Sequence, residues 1–127
     1  MKTVLLVAAA GGVGSAARYL VSLGALRLFG PGFPYGTLTV NVVGSFVIAL
    51  IMQLALRTEA ITPLVRVVLT TGFLGGFTTY SAFNYESLDM MSRGAWRTGF
   101  ANLVITVVAC LAAGSLGFRV ARTLVGR

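Results

Sequence analysis

Two sets of polar side chains recur at helical spacing inside otherwise apolar stretches of this sequence. The two sets, each with a spacing of four residues, are Thr37, Asn41 and Ser45 and, later in the chain, Asn102, Thr106 and Cys110. Because a helix turns every 3.6 residues, each set lies on one helical face. Such a stripe can join two helices by hydrogen bonds, or it can replace the water around a permeating ion. The spacing alone leaves both interpretations open.

A stretch rich in glycine and threonine, residues 70–81, lies in the middle of a third apolar segment. Its three glycines, Gly72, Gly75 and Gly76, stand among β-branched threonines, so a continuous helix is disfavoured. An interrupted helix frees backbone carbonyls at membrane depth, which is tolerated only inside protein or along a cavity. Such carbonyls can bind a cation such as Na⁺. The alternative is a seam of small residues that packs an unbroken helix.

Aromatic side chains follow this stretch directly. Tyr80 and Phe83 are three residues apart and share a face. The edge of an aromatic ring carries partial positive charge, so ring edges could solvate a small anion where a full charge would trap it. The alternative is that both rings pack in the core or face lipid.

Charged side chains are rare in these segments. Arg18 lies deep in the first segment, where it could attract anions to an aqueous mouth, reach the interface, or pair with Glu86. Asp89 and Arg93 are four residues apart, and we expect them to form a charge pair at a helix end.

Four long apolar segments position these side chains, at about residues 3–28, 37–56, 64–91 and 98–118. About 20 apolar residues cross the hydrocarbon core of a bilayer. The pattern therefore predicts an all-α membrane protein, with residues 1–127 forming a single transmembrane domain. Four transmembrane helices are expected, the third interrupted mid-span. Because the first segment stays apolar through Leu28, we expect a permanent helix rather than a signal peptide.

The composition excludes several classes of protein. Apolar residues make up 57% of the chain and charged residues only 10%, against about 25% in soluble domains. A soluble enzyme, a soluble binding module and a disordered chain are therefore excluded. The net charge of +7 is attributed to arginines at span ends that contact lipid headgroups, not to nucleic-acid binding. With no histidine and one cysteine, the chain has no side chains for a zinc site or a disulfide.

Two motifs at this spacing strongly resemble the CrcB/Fluc family of bacterial fluoride channels. They are G-T-L-T-V-N at residues 36–41 and T-T-G-F-L-G-G-F-T-T-Y-S-A-F at residues 70–83, and the resemblance extends over the whole chain. It implies a fluoride-selective channel in the bacterial plasma (inner) membrane that passively exports cytoplasmic fluoride and so relieves its toxicity. It further implies an antiparallel, dual-topology homodimer with two pores and a structural Na⁺ at the interface. The preference for fluoride over chloride rests on this resemblance alone.

The resemblance also assigns roles to individual residues. The implied fluoride pore comprises Asn41, Tyr80, Ser81, Phe83, Thr106 and Cys110. The backbone carbonyls of Gly75 and Thr78 are implied to bind Na⁺, and Arg18 is implied to lie at the vestibule. Thr37, Thr39 and Glu86 are further candidates.

The chain departs from the family pattern at four positions. The family usually reads F-S-T-F-S where this chain has Tyr80, Ala82 and Asn84, and Cys110 stands where serine is common. A thiol is a weaker hydrogen-bond donor than a hydroxyl. It is therefore open whether both pores of a homodimer conduct and whether a paralogous subunit takes part.

Two other functions are compatible with four short spans. One is a small proton-coupled multidrug exporter, which needs a membrane-embedded carboxylate. Glu86 and Asp89 lie toward the end of the third segment, and the other three segments have no acidic residue. The other alternative is a non-conducting subunit of a heteromeric channel.

Overall fold

The computed structural model describes residues 1–126, and Arg127, the last residue of the predicted transmembrane domain, lies outside the described residues. Three long helices are present: α1 (Lys2–Phe29), α2 (Tyr35–Arg57) and α6 (Trp96–Val125). Each is long and apolar enough to cross a membrane. Over residues 1–126 the fold contains helices and no strands, so the prediction of an all-helical protein with membrane-spanning helices is confirmed.

Residues 63–92, between α2 and α6, are divided into several shorter elements. We call this part of the chain the third segment. These elements are α3 (Pro63–Val67), a π-helix (Val68–Leu74), α4 (Gly75–Phe77) and α5 (Tyr80–Ser92). Pro63 occupies the first helical turn of α3, and the hydroxyl oxygen of Thr62 accepts the amide N–H of Val65 at 3.3 Å. This start is typical of a capped helix, because proline needs no amide partner there.

The helical path stops at Thr78 and Thr79, which we call the break. Thr78 (φ −85°, ψ 159°) and Thr79 (φ −153°, ψ 119°) are both extended. The predicted interruption within residues 70–81 is therefore present, but it lies after the glycines and not at them. Gly72, Gly75 and Gly76 all lie within helical elements, and at least two of them serve packing instead.

Helix α1 packs directly against the π-helix and α4 through these small residues. A Cβ at Gly76 would overlap the carbonyl oxygen of Gly11, and a Cβ at Gly14 would overlap the carbonyl oxygen of Phe73. A Cβ at Gly72 would press on the side chain of Ala10. The two backbones therefore touch, as small-residue seams allow in membrane bundles, and the third segment is held against α1.

Helix α2 packs along α6. A Cβ at Gly117 of α6 would overlap the carbonyl oxygen of Phe46 in α2. Val40 of α2 also packs against the third segment, in a buried cluster with Leu74 and Phe77. This cluster fixes α2 beside the break, which is where the predicted site residues converge.

Candidate functional site

The break is built from hydrogen bonds of threonine side chains to the ends of the flanking helices. Both the amide N–H and the hydroxyl of Thr78 donate to the carbonyl oxygen of Leu74, each at 2.9 Å. The hydroxyl oxygen of Thr79 accepts the amide N–H of Ala82 at 3.2 Å and so caps the start of α5. Threonine is favoured at such caps because its side chain replaces a missing helical partner. These local hydrogen bonds lie at the end of α4 and at the start of α5.

The side chain of Asn41, in α2, forms two hydrogen bonds with the backbone of Thr79. Its Oδ1 accepts the amide N–H of Thr79 at 2.8 Å, and its Nδ2 donates to the carbonyl oxygen of Thr79 at 2.9 Å. The sequence predicted Asn41 as a pore-lining residue but gave no sign of this two-way pairing. The two residues are 38 positions apart, so the pairing depends on the tertiary fold.

Two carbonyl groups at the break lose the amide that a continuous helix would direct to them. The N–H of Thr79 would donate to the carbonyl of Gly75, but it donates to Asn41 instead. The N–H of Ala82 would donate to the carbonyl of Thr78, but it donates to the hydroxyl of Thr79. Gly75 and Thr78 are the two residues whose carbonyls the sequence assigned to Na⁺.

Carbonyl oxygens such as those of Gly75 and Thr78 are ligands that suit a hard cation. Oxygen atoms of interrupted helices can coordinate Na⁺ inside membrane proteins. Among residues 1–126, no group of three or more His, Cys, Asp or Glu side chains is placed to hold a metal ion. The carbonyl oxygens of Gly75 and Thr78 are groups of the kind that could bind such a cation.

A groove of about 380 Å³ runs beside the break, between α2, the third segment and α6. Its lining includes most of the predicted pore and cation residues, namely Asn41, Gly75, Thr78, Tyr80, Phe83, Thr106 and Cys110. Among residues 1–126, no charged side chain lines it. The fold thus brings residues from three parts of the sequence to one neutral, partly polar surface.

Ser81 and Thr39 lie apart from this lining. The exposed hydroxyl of Ser81 is 3.4 Å from the hydroxyl of Thr79, which places it at the break but outside the groove. The hydroxyl of Thr39 donates to the carbonyl of Tyr35 at 2.7 Å within its own helix. In the single chain, neither side chain is brought to the groove wall.

The polar stripe on α6 divides into two parts. Asn102 is buried and donates from Nδ2 to the hydroxyl oxygen of Ser87 at 2.9 Å, and Ser87 in turn donates to the carbonyl of Phe83 at 2.8 Å. Thr106 donates to Oδ1 of Asn102 at 3.2 Å. Asn102 therefore joins α6 to α5, whereas Thr106 and the half-buried Cys110 line the groove.

Sequence reasoning missed Ser87, which is the partner of Asn102 in α5. Ser87 is almost fully buried, yet it belongs to no repeating polar pattern in the sequence. Its position four residues after Phe83 is the one signal that could have placed it on the same helical face.

A second cavity of about 230 Å³ holds the candidates around Arg18. Its walls include Arg18, Thr37, Thr79 and Glu86. The hydroxyl of Thr37 donates to Oε1 of Glu86 at 2.7 Å, while Oε2 of Glu86 is buried and has no partner among the described residues. Arg18 and Glu86 share this cavity without forming an ion pair.

The ion pair present in residues 1–126 is the expected one between Asp89 and Arg93. The exposed guanidinium of Arg93 has its pKa raised, because the Asp89 carboxylate accepts a hydrogen bond from it and stabilises its charge. Since this pair lies at the exposed end of α5, it has no contact with the groove.

Comparison with known proteins gives one matching family and several relatives that share one name. Residues 5–118 match the family described as CrcB-like protein, Camphor Resistance (CrcB). The chain is 50% identical over 126 residues to the fluoride-specific ion channel FluC of Anaeromyxobacter dehalogenans, covering 99% of this chain and 100% of the relative. It is 49% identical over 115 residues to the Sorangium cellulosum protein of that name, covering 91% of each. The corresponding Geobacter sulfurreducens protein is 45% identical over 124 residues, which is 98% of this chain and 100% of the relative. This chain belongs to the CrcB family.

Proposed function

We propose that this chain is a fluoride-selective ion channel of a bacterial plasma membrane, and not an enzyme. The observation that carries this proposal is the 50% identity, over nearly the whole chain, with a relative named a fluoride-specific ion channel. Fluoride would leave the cytoplasm down its electrochemical gradient, which relieves fluoride toxicity. The apolar helices α1, α2 and α6 fit a multi-pass membrane protein, and the third segment would supply the remaining crossing.

The neutral groove supports an anion pathway. Fluoride holds its water tightly, so the path must offer several close donors in place of that water. Thr106, Cys110, Tyr80 and Phe83 line the groove. Because the hydroxyl of Thr106 already donates to Asn102, the thiol of Cys110 and the ring edges of Tyr80 and Phe83 would supply the contacts to fluoride. Asn41 uses one N–H on Thr79, and its second N–H is free to donate. Because this set contains no carboxylate, ammonium or guanidinium group, the anion would be solvated without being trapped.

The cavity at Arg18 would be the vestibule. A guanidinium attracts anions over several ångströms when water is scarce. Arg18 shares its cavity with Thr79, the second residue of the break. An anion drawn toward Arg18 would therefore arrive next to the polar groups of the break. Glu86 and Thr37 also line that cavity, and Ser81 borders the break itself.

We propose that two copies assemble as an antiparallel, dual-topology homodimer. The groove is open along one side of the single chain, and Tyr80 in its wall is 78% exposed. In a bilayer, this opening would leave polar groups of the break facing lipid, which is costly. A second copy would cover the groove and complete the pore. A paralogous subunit could cover the same surface, so homomeric sufficiency has to be tested.

The orientation of the copies can be tested by labelling a single thiol. Ala95 is exposed in the turn before α6, so Ala95→Cys in a Cys110→Ser chain gives one accessible thiol. A membrane-impermeant maleimide should label about half of the chains from outside intact cells, and the remainder after the membrane is opened. Labelling from one side only would contradict dual topology.

We propose further that the carbonyls of Gly75 and Thr78 hold a structural Na⁺ at the dimer interface. The support is that both carbonyls lack their helical donor, as the hydrogen bonds of Thr79 and Ala82 show. When bound, the ion would neutralise the negative ends of these carbonyl dipoles. The chain's part is to hold the oxygens in place, which the bonds of Thr78 to Leu74 and of Thr79 to Asn41 do.

The function can be tested in living cells. A bacterial host that lacks its own fluoride exporter should grow again in inhibitory fluoride when it expresses this chain alone. The same host expressing the Phe83→Ile chain is the matched control, because Phe83 lines the groove. No recovery of growth, despite the folded chain in the membrane, would contradict a self-sufficient fluoride channel.

A further inference from the structure

We propose that Asn41 is a positioning residue whose carboxamide tethers the break to α2 and sets its conformation. This inference deepens the proposed function, since it names the residue that fixes the centre of the pore. In this account, Asn41 does more than face the groove as one donor among several. It holds the backbone from which the carbonyls of Gly75 and Thr78 project.

The pairing satisfies both polar groups of one peptide residue. The carboxamide of Asn41 accepts from the N–H of Thr79 and donates to its carbonyl, at 2.8 and 2.9 Å. The assignment of oxygen and nitrogen in the side chain follows from Thr79, because a backbone N–H can only donate and a carbonyl can only accept. Within a membrane, each of these groups would be costly without a partner.

Among residues 1–126, no other hydrogen bond joins the backbone of Thr78 or Thr79 to another helix. The remaining bonds of Thr78 and Thr79 connect residues two to four positions apart within the third segment. They end α4 and start α5, but they leave the N–H and carbonyl of Thr79 to Asn41. The two bonds of Asn41 therefore join the break to α2, in addition to the packing of α4 on α1.

The backbone of α2 is itself held close to the break on both sides of Asn41. Val40 is fully buried against Leu74 and Phe77. Three residues after Asn41, a Cβ at Gly44 would overlap the Cγ2 atom of Thr78. Asn41 is thus attached to a rigid support, as a positioning residue must be to transmit geometry.

The tether has a consequence for the proposed cation. Because Asn41 takes the N–H of Thr79, the carbonyl of Gly75 is left without that helical donor. Loss of Asn41 would either loosen the break or return the N–H to Gly75. Both changes would remove a carbonyl oxygen from its position. We therefore expect Asn41 to control the Na⁺ dependence of the protein as well as fluoride flux.

The test measures amide hydrogen exchange of Thr79 by NMR in the purified full-length chain. Asn41→Leu keeps a similar volume and removes both hydrogen bonds, and it should speed exchange at Thr79 about tenfold. Asn41→Asp keeps an acceptor for the N–H and should restore most of the protection. Ser45→Ala is the matched control: Ser45 also lines the groove, but its hydroxyl donates to the carbonyl of Asn41 within α2. Exchange at Thr79 should be unchanged in that variant.

The second readout is the melting temperature as a function of Na⁺ concentration, with choline as the replacing cation. In Asn41→Leu, the Na⁺ concentration for half of the stabilisation should rise about tenfold. If the N–H returns to Gly75, exchange stays slow but the Na⁺ dependence is lost, which also supports the tether. Unchanged exchange together with unchanged Na⁺ dependence would overturn the proposal, even if flux falls. If Asn41→Leu does not fold, Asn41→Ser, whose side chain is too short to pair twice, takes its place.

The two readouts separate this inference from the proposed function. A wild-type protein whose melting does not depend on Na⁺ would contradict the proposed cation, and the exchange rates would then decide the role of Asn41 alone. Faster exchange in Asn41→Leu would still establish the tether in that case. Equal exchange rates together with an unchanged chemical shift of the Thr79 amide would overturn it, because a return of the N–H to Gly75 would change that shift.

Discussion

The rings of Tyr80 and Phe83 meet edge to face, with centroids 5.8 Å apart and planes inclined by 68°. Phe83 is 7% exposed, whereas Tyr80 is 78% exposed in the single chain. The pair therefore extends from the buried core to the open side of the groove. Such an arrangement directs the positive edge of one ring toward the face of the other, and both residues remain part of the groove wall.

Phe83→Ile should reduce fluoride flux about tenfold or more, because isoleucine fills much of the volume but has no ring edge for an anion. The flux is measured from liposomes at equal protein content, with size-exclusion chromatography to check assembly. Leu88→Ile is the control, since Leu88 is an exposed residue of the same helix. If Phe83→Ile conducts like the parent chain, the ring-edge account fails.

Gly76→Ala should destabilise the protein by about 1–3 kcal/mol, because overpacking forces the backbones of α1 and α4 apart. The added methyl would overlap the carbonyl oxygen of Gly11. Gly12→Ala is the matched control: no atom lies within 4 Å of a Cβ at Gly12 in the single chain. That change should be neutral or stabilising by about 0.5–1 kcal/mol through helix propensity. Thermal unfolding in detergent measures both, and equal effects would contradict the proposed seam.

Asn102→Ala should cost about 1–3 kcal/mol, because it leaves buried polar groups without a partner. The variant removes the bonds of Asn102 to Ser87 and to Thr106. Thr123→Ala on the same helix is the control, since its exposed hydroxyl bonds only within α6. The free energy of unfolding of the two variants should differ clearly. A cost no larger than that of the control would mean that this network adds nothing to the packing of α5 on α6.

Removal of Na⁺ should lower the melting temperature of the assembled protein, and adding Na⁺ back should restore it, because a bound ion stabilises only the folded state. Choline at equal ionic strength controls for salt effects. The carbonyls of Gly75 and Thr78 are the expected ligands, so the shift should depend on the cation and not on the anion. A dimer that is intact and conducts fluoride with no bound cation would contradict the proposed Na⁺ site.

The sequence predicted the helical fold and the family, because long apolar segments and two specific motifs are local features. It placed most of the candidate pore and cation residues on segments that the structure brings together at one groove. It predicted an interruption within residues 70–81 but not its position at Thr78 and Thr79, since all three glycines lie in helical elements and two of them, Gly72 and Gly76, pack against α1. Glycine in a sequence does not distinguish a bend from a close contact.

Sequence patterns could not predict hydrogen bonds between residues that are far apart in the chain. The two-way bond of Asn41 to Thr79 and the buried bond of Asn102 to Ser87 both depend on which helices become neighbours. The sequence left open whether each polar stripe joins two helices or lines an ion path. On α6, the answer differs from residue to residue. Asn102 joins two helices, whereas Thr106 lines the groove. One periodic pattern thus served both purposes, because the groove borders only part of the helix.

The most direct test of the central proposal is ion efflux from liposomes that contain only this purified chain. A fluoride electrode and a chloride electrode would follow parallel samples loaded with each anion. We predict rapid release of fluoride with no release of chloride, which would establish selectivity and homomeric sufficiency together. A well-folded dimer that releases no fluoride, or that releases chloride equally fast, would contradict the proposal of a self-sufficient fluoride channel.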